Sequence, residues 1–256
     1  MVTGGAGGIG RALVEAFADA GAGHVTAADR DFAAAGALAA REVVGTVECD
    51  VGSEAGVREL VAAATDAAGP VDIFISNAGV GGGLGGPEVA DEAWDEAWRV
   101  NVMAHVWAAR ALLPEMSARG EGYLLNTASA AGLLTQVSAL AYSITKHAAV
   151  ALAEWMAIEY AELGVRVSCI CPQGVRTPML EAALDDAASA AALTAGDVLE
   201  PADVARAVLD GIRDERFLIL PHEVVAEHMA LKGAQPERWL KGMRRLVRQA
   251  REGSGS

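Results

Sequence analysis

The sequence predicts an α/β fold, a doubly wound parallel sheet flanked by helices on both faces. Three observations predict it. Short apolar runs alternate with longer helical patterns along most of the 256 residues. The stretches between the apolar runs are long enough for the crossover connections that parallel strands need. A glycine-rich turn, Thr3-Gly4-Gly5-Ala6-Gly7-Gly8-Ile9-Gly10, joins a strand remnant to the first helical pattern.

Apolar residues at helical spacing predict a first helix over 8–20, and the run that follows predicts a strand over 25–28 that ends in Asp29. Further strands are expected at 46–49, 71–76, 123–127, 165–171 and 217–220. Between them, helices are expected at 33–42, 53–68, 91–118, 140–163 and 201–214. The alanine-rich stretch 182–195 reads as a mobile helical segment. The basic stretch 232–251 reads as a solvated helix face. No break in composition and no repeat divides the chain, so a single domain is expected over 1–252, with a disordered tail at 253–256. A central strand of about five residues should feed the glycine turn, yet only two residues precede Thr3, so the natural start is expected upstream.

The formal net charge of -14 repels the phosphates of nucleic acid and of an anionic membrane, so neither is an expected partner. Cys49, Cys169 and Cys171 are an odd, sparse set without framework spacing, and no signal peptide is evident, so a reducing cytoplasm is expected. Cys169 and Cys171 share one face of a strand and read as small buried hydrophobes. The uncharged stretch 122–145 is long enough to span a bilayer, but it would carry Asn126, Thr127, Ser129, Thr135, Gln136 and Ser138 into lipid. No metal is expected, because His24, His105, His147, His222 and His228 do not fall into ligand spacing. Trp94, Trp98 and Trp107 lie in one predicted helix and read as packing or subunit-contact residues.

Glycines between a strand and a helix let the backbone approach a pyrophosphate at the helix N-terminus. A glycine turn alone is weak evidence. Asp29 strengthens it, because an acidic side chain closing the next strand can accept hydrogen bonds from an adenosine ribose. The same charge repels a 2'-phosphate, which favours NAD over NADP, although Arg30 beside it argues the other way. A helix N-cap for the segment beginning at Asp31 is the competing reading of Asp29. Tyr142 and Lys146 stand four apart in a predicted helix, so they emerge on one face. An ammonium about 4 Å from the phenol, at an effective dielectric near 20, contributes about 4 kcal/mol, equivalent to about three pKa units. That would bring the phenol toward neutrality.

Together these residues resemble the short-chain dehydrogenase/reductase family, and the resemblance runs from Thr3 to about Leu220. Thr3, Gly4, Gly8 and Gly10 match the family's TGxxxGxG turn, and Asn77-Ala78-Gly79 matches its NAG element. Asp50-Val51 resembles the pair that contacts adenine. Asn101 sits where the family keeps a catalytic asparagine, Ser129 precedes Tyr142 at the family's spacing, and Tyr142 to Lys146 supplies the YxxxK. One departure stands out: the family usually reads Pro-Gly after the sixth strand, whereas here Pro172 is followed by Gln173 and then Gly174-Val175-Arg176-Thr177.

The resemblance implies a Rossmann-like domain that passes a hydride between NAD(H) and a secondary alcohol or ketone, a small molecule of hydrophobic character. Tyr142 would serve as the acid/base, Lys146 would lower its pKa and bind the nicotinamide ribose, and Ser129 would orient the substrate oxygen. Asn101, through a local helix irregularity, would hold a water linking Lys146 to solvent. Cofactor contacts are expected from Thr3, Gly4, Gly8, Ile9, Gly10, Asp29, Arg30, Asp50, Val51, Asn77, Ala78, Gly79, Tyr142, Lys146, Pro172, Gly174, Val175 and Thr177. Gln173 is expected to face either the substrate or solvent. A homodimer or homotetramer is implied, through the helices at 93–118 and 140–163. The competing class is a catalytically silent NAD-sensing or scaffold protein on the same fold.

Overall fold

The structure, a computed structural model, describes residues 1–31, 38, 40–194 and 196–253. Seven parallel strands form one sheet in the order β3-β2-β1-β4-β5-β6-β7. They are β1 (Val2–Thr3), β2 (Val25–Asp29), β3 (Val44–Glu48), β4 (Ile73–Ser76), β5 (Gly122–Thr127), β6 (Val165–Ile170) and β7 (Leu218–Ile219). From β1 the chain winds outward to β3 and then returns past β1 to lay down β4, so the winding reverses between β1 and β4. Open sheets of this kind bind ligands at that reversal, beyond the carboxyl ends of the strands.

Each expected strand is present, and the expected helices fall on both faces. α1 (Gly8–Asp19) and α9 (Pro201–Arg213) pack on one face with Leu13, Val14, Val204 and Val208. The other face carries α2 (Glu54–Ala68), α4 (Ala104–Arg119) and α6 (Leu140–Glu159), packed through Leu60, Leu112, Met116 and Met156. Small residues on α4 and α6, such as Ala108, Ala149 and Ala153, let these helices sit close to the sheet. Local signals set the ends: Ser53 accepts from Gly56 N at the start of α2, and Gly120 closes α4 at φ 69.

The helix expected over 91–118 is divided. α3 (Asp91–Trp98) passes into a five-residue π-helix (Arg99–Met103) before α4 begins. The cause is Asn101, whose side chain bonds the backbone of Val80 instead of lying along the helix. The helix expected over 140–163 ends at Glu159 and is followed by a short 3₁₀ turn (Ala161–Leu163). The stretch 182–195 falls into α7 (Pro178–Ala183) and α8 (Ala187–Leu193), capped by Thr177 and Asp186, and residue 195 lies outside the described residues. The helix expected over 33–42 lies mostly outside the described residues, and Leu38 and residues 40–42 are turns and bends.

Two helices complete the chain, α10 (Glu223–Ala234) and α11 (Pro236–Gly253). Gly253, expected in a disordered tail, instead ends α11, and 254–256 lie outside the described residues. No helix among the described residues is long and apolar enough to cross a membrane.

A short helix, α5 (Ala131–Leu134), crosses α6 so closely that a Cβ on Gly132 would lie 2.5 Å from the Lys146 carbonyl oxygen. Glycine is therefore needed for backbone contact. Gly132→Ala should cost about 1–3 kcal/mol, because backbone rather than a flexible side chain must give way. Urea denaturation checks this, and an unchanged midpoint would contradict the close crossing.

Candidate active site

The glycine turn after β1 and the loop after β4 meet at the reversal, and Thr3 joins them. Its hydroxyl accepts from Asn77 N at 2.9 Å and from Ala78 N at 3.1 Å. Asn77 Nδ2 answers by donating to the Thr3 carbonyl at 3.0 Å, and Thr127 Oγ1 donates to Asn77 Oδ1 at 3.3 Å. Thr3 and Asn77 thus act on each other and set the floor of the cleft. A Cβ on Gly10 would lie 2.6 Å from Asn77 Nδ2, so only glycine lets the first turn of α1 come this near. α1 opens at Gly7 without any side-chain cap, leaving the amides of its first turn to meet an anion.

Asp29 ends β2 beside this turn. Its Oδ2 accepts from Ala6 N at 3.0 Å, and its Oδ1 accepts from Asp31 N at 3.3 Å. The N-cap alternative concerns residues that lie largely outside those described. Arg30 reaches Glu96 of α3 at 3.7 Å, with both side chains exposed. Asp50 accepts from Gly52 N at 2.9 Å, and Val51 is buried; both line the cleft with Ile9 and Ala78. On the far wall Thr177 donates to the Val175 carbonyl at 3.1 Å and caps α7. A Cβ on Gly8 would come within 3.2 Å of its methyl group, so the two walls face each other closely.

The inner end of the cleft carries the other candidates. Lys146 is buried and its Nζ donates to the Thr127 carbonyl at 2.8 Å. It lies over the Tyr142 ring, 5.6 Å from the centroid. Ser129 Oγ accepts from Ala131 N at 3.1 Å and donates to the Pro172 carbonyl at 3.4 Å. Asn101 is fully buried, and its carboxamide accepts from Val80 N at 2.9 Å, donates to Val80 O at 2.9 Å and donates to Thr145 Oγ1 at 3.1 Å. Gly79 stands between them, and a Cβ there would lie 3.2 Å from Asn101 Oδ1 and 3.3 Å from Lys146 Nζ. Of the expected cofactor and catalytic positions, all but Thr3, Gly174 and Asn101 line one cleft of about 850 Å³.

The titration behaviour departs from the helix-spacing estimate. Burial pushes the Tyr142 phenol above its usual 10, and a hydrogen bond with Ser129 draws it partly back. The ammonium sits over the ring face rather than against the phenol oxygen, so desolvation outweighs it. Burial also lowers Lys146 to about 8. A phenol near neutrality is thus not a property of the protein alone.

Gln173 lines the cleft rather than turning to solvent. Its Nε2 donates to the Ala192 carbonyl of α8 at 2.9 Å, and its Oε1 is buried without a partner among the described residues. His222, which sequence reasoning set aside, holds this turn. Gln173 N donates to His222 Nδ1 at 3.2 Å, so Nε2 carries the ring proton and donates to the Gly174 carbonyl at 3.1 Å. Its place directly after the last strand, at the carboxyl edge of the sheet, was the available signal. Ser143, also unassigned from the sequence, bonds both backbone groups of Gln136 and pins that loop to α6.

The lowered Lys146 gives a pH prediction. Between about 8 and its usual 10.5 the unfolded lysine holds a proton that the folded one has released, so stability rises with pH across that window. Melting temperatures of the cofactor-free protein and of Lys146→Met, followed over this range, should converge in slope for every other group and differ by this rise. Parallel curves would contradict the burial of the ammonium.

The sequence profile described as short chain dehydrogenase matches residues 1–188. The 1-deoxy-11-beta-hydroxypentalenate dehydrogenase of Streptomyces exfoliatus is 35% identical over 227 residues, covering 86% of this chain and 81% of the relative. A solved short chain dehydrogenase/reductase from Burkholderia phymatum, in complex with NAD, superposes with a TM-score of 0.83 at 31% identity and covers 92% of each chain. A short-chain dehydrogenase from Sphingobium yanoikuyae in complex with NADPH gives 0.78 at 25% identity, again over 92% of each chain. The chain belongs to the short-chain dehydrogenase family.

Proposed function

We propose that this protein is an NAD-dependent oxidoreductase that interconverts a hydrophobic secondary alcohol and its ketone within one catalytic domain over 1–252. The observation that carries this reading is the convergence of Ser129, Tyr142 and Lys146 at the inner end of a cleft whose outer end is a glycine turn. The cleft suits a dinucleotide: α1 opens uncapped toward it, and the positions of Gly8 and Gly79 leave space that a Cβ would fill. Arg30 is engaged by Glu96 while Asp29 remains at the end of β2, which supports NAD over NADP. Relatives that hold NAD and NADPH both exist, so the choice rests on these side chains.

Nicotinamide, when bound, supplies the hydride acceptor or donor at C4. The protein's part is to hold the substrate oxygen and move its proton. Ser129 presents a hydroxyl to that oxygen, and Tyr142 takes its proton during oxidation and returns it during reduction. Lys146 supports the phenolate and binds the nicotinamide ribose. Asn101 fixes the π-helix and the loop carrying Gly79 and Val80, and would hold the water that joins Lys146 to solvent.

Leu84, Ala139, Met179, Ala183 and Leu193 line the substrate end, which favours an apolar alcohol or ketone. The hydroxypentalenate dehydrogenase among the relatives is consistent with such a substrate. Exposed Ile144, Trp155 and Ile158 on α6 offer an apolar face for a second copy, giving a homodimer or homotetramer. The buried free thiols of Cys49, Cys169 and Cys171 suit a reducing cytoplasm.

Tyr142→Phe should lower kcat on the order of a thousandfold, the scale of a lost general acid/base, while NADH affinity stays within severalfold. Steady-state assays with fluorescence titration of NADH check both; near-normal turnover would refute the mechanism. Asp29→Ala should weaken NAD and narrow its advantage over NADP, measured as the ratio of kcat/KM values. A parent enzyme that already prefers NADP would show the reading of Asp29 to be wrong.

A further inference from the structure

Behind Lys146 lies a group of buried polar atoms that the proposed reaction leaves unused. His105, in the first turn of α4 beyond Asn101, is 2% exposed. Neither ring nitrogen has a hydrogen-bond partner among the described residues, and the same is true of Nδ2 of Asn126 in β5. Asn126 directly precedes Thr127, whose carbonyl receives Lys146 Nζ. The ring lies near the Asn126 carboxamide and the Asn101 carbonyl, which favour its charged form, although neither contact reaches hydrogen-bond geometry. Burial and the Lys146 ammonium outweigh them and lower His105 to about 3. At neutral pH the ring therefore offers one donor and one bare acceptor.

The groups around His105 are few. Lys146 and Tyr142 come from α6, Asn101 from the π-helix, Asn126 from β5, and Cys169 from β6, with Cys171 just beyond its end. No carboxylate is among them. Buried waters typically bond two to four polar groups, and His105, Asn126 and Lys146 supply that number. Phenylalanine or leucine at either neighbour would satisfy packing but would offer a water nothing.

We propose that His105, with Asn126, is a positioning residue that holds an ordered water against Lys146 and so keeps the ammonium hydrated and charged. The role for Lys146 is the one given in the proposed function, and His105 acts only through it. Removing the water deepens the desolvation of Lys146, lowers its proton affinity and shrinks the charged fraction available at working pH.

The chain has three lysines, Lys146, Lys232 and Lys241, so ¹³Cε-lysine NMR of the cofactor-free protein resolves Lys146, with Lys146→Met as the assignment control. In the parent its signal should titrate near 8. His105→Phe and Asn126→Leu should each lower that midpoint by about one unit, and His105→Gln, which keeps a donor and an acceptor, should restore most of the shift. The high-pH loss of kcat should move downward by the same amount. Midpoints unchanged in both His105→Phe and Asn126→Leu would overturn the proposal, as would a rise. If one variant fails to fold, the other decides. The NMR result needs no turnover, so a parent without NAD-linked activity would count against the proposed function and not against this water site.

Discussion

The buried carboxamide of Asn101 is the interaction on which the rest of the site depends. Its oxygen and nitrogen close onto both backbone groups of Val80, and its nitrogen also reaches Thr145. Three segments distant in sequence are joined by one side chain: the loop after β4, the helix that follows it, and α6 with Tyr142 and Lys146. The join is made at the expense of regular helix, which widens to a π-helix over Arg99–Met103. A carboxamide with no exposed surface must bond at all its polar atoms, and distorting the helix satisfies that demand. Small residues on both sides make the approach feasible. Gly79 leaves space beside Asn101 and Lys146, and Gly132 lets α5 lie against the Lys146 carbonyl.

Electrostatics follow from this packing. Lys146, Tyr142 and His105 are gathered where water is scarce, and in each the charged form is disfavoured. A phenol raised above 10 and an ammonium lowered to about 8 move apart in proton affinity, because burial disfavours the charged form of each. Lys146 is thereby brought nearer to neutral pH and Tyr142 is moved away from it, so the protein alone does not give the phenol the affinity that proton transfer at the working pH needs. Thr127 contributes by fixing the ammonium through its carbonyl while its hydroxyl braces Asn77. The cofactor turn and the acid/base pair are therefore set by neighbouring atoms of one strand end.

Much of this was legible in the sequence. Periodicity located the strands because a parallel sheet buried on both faces demands continuous apolar runs, and it placed β5 and β6 to within a residue. The glycine turn, Asp29 and the Tyr142–Lys146 pair were visible because backbone approach and helix spacing permit few residue types there, whereas Asn77, Asn101 and Ser129 stood out only through the family resemblance. What periodicity could not show was anything set by contacts distant in the chain. The break at Asn101 depends on Val80, the orientation of Gln173 depends on Ala192 and His222, and the elevated phenol depends on how deeply α6 is buried. The helix-spacing estimate for Tyr142 also took the ammonium to sit at the phenol oxygen, whereas Lys146 bends toward the strand carbonyl of Thr127. The basic stretch 232–251 was legible as a helix face, but the end of α11 at Gly253 was hidden because glycine and serine there resemble a disordered tail.

The central claim is that one cleft brings a nicotinamide cofactor and a secondary alcohol together for hydride transfer with Tyr142 as the base. The most direct measurement is to incubate the protein with NAD and a set of hydrophobic secondary alcohols deuterated at the carbinol carbon, then recover the cofactor for mass spectrometry. The account predicts a single deuterium on the nicotinamide ring and the matching ketone in equal amount for at least one alcohol. Cofactor that binds tightly but acquires no deuterium from any alcohol in the set would contradict it.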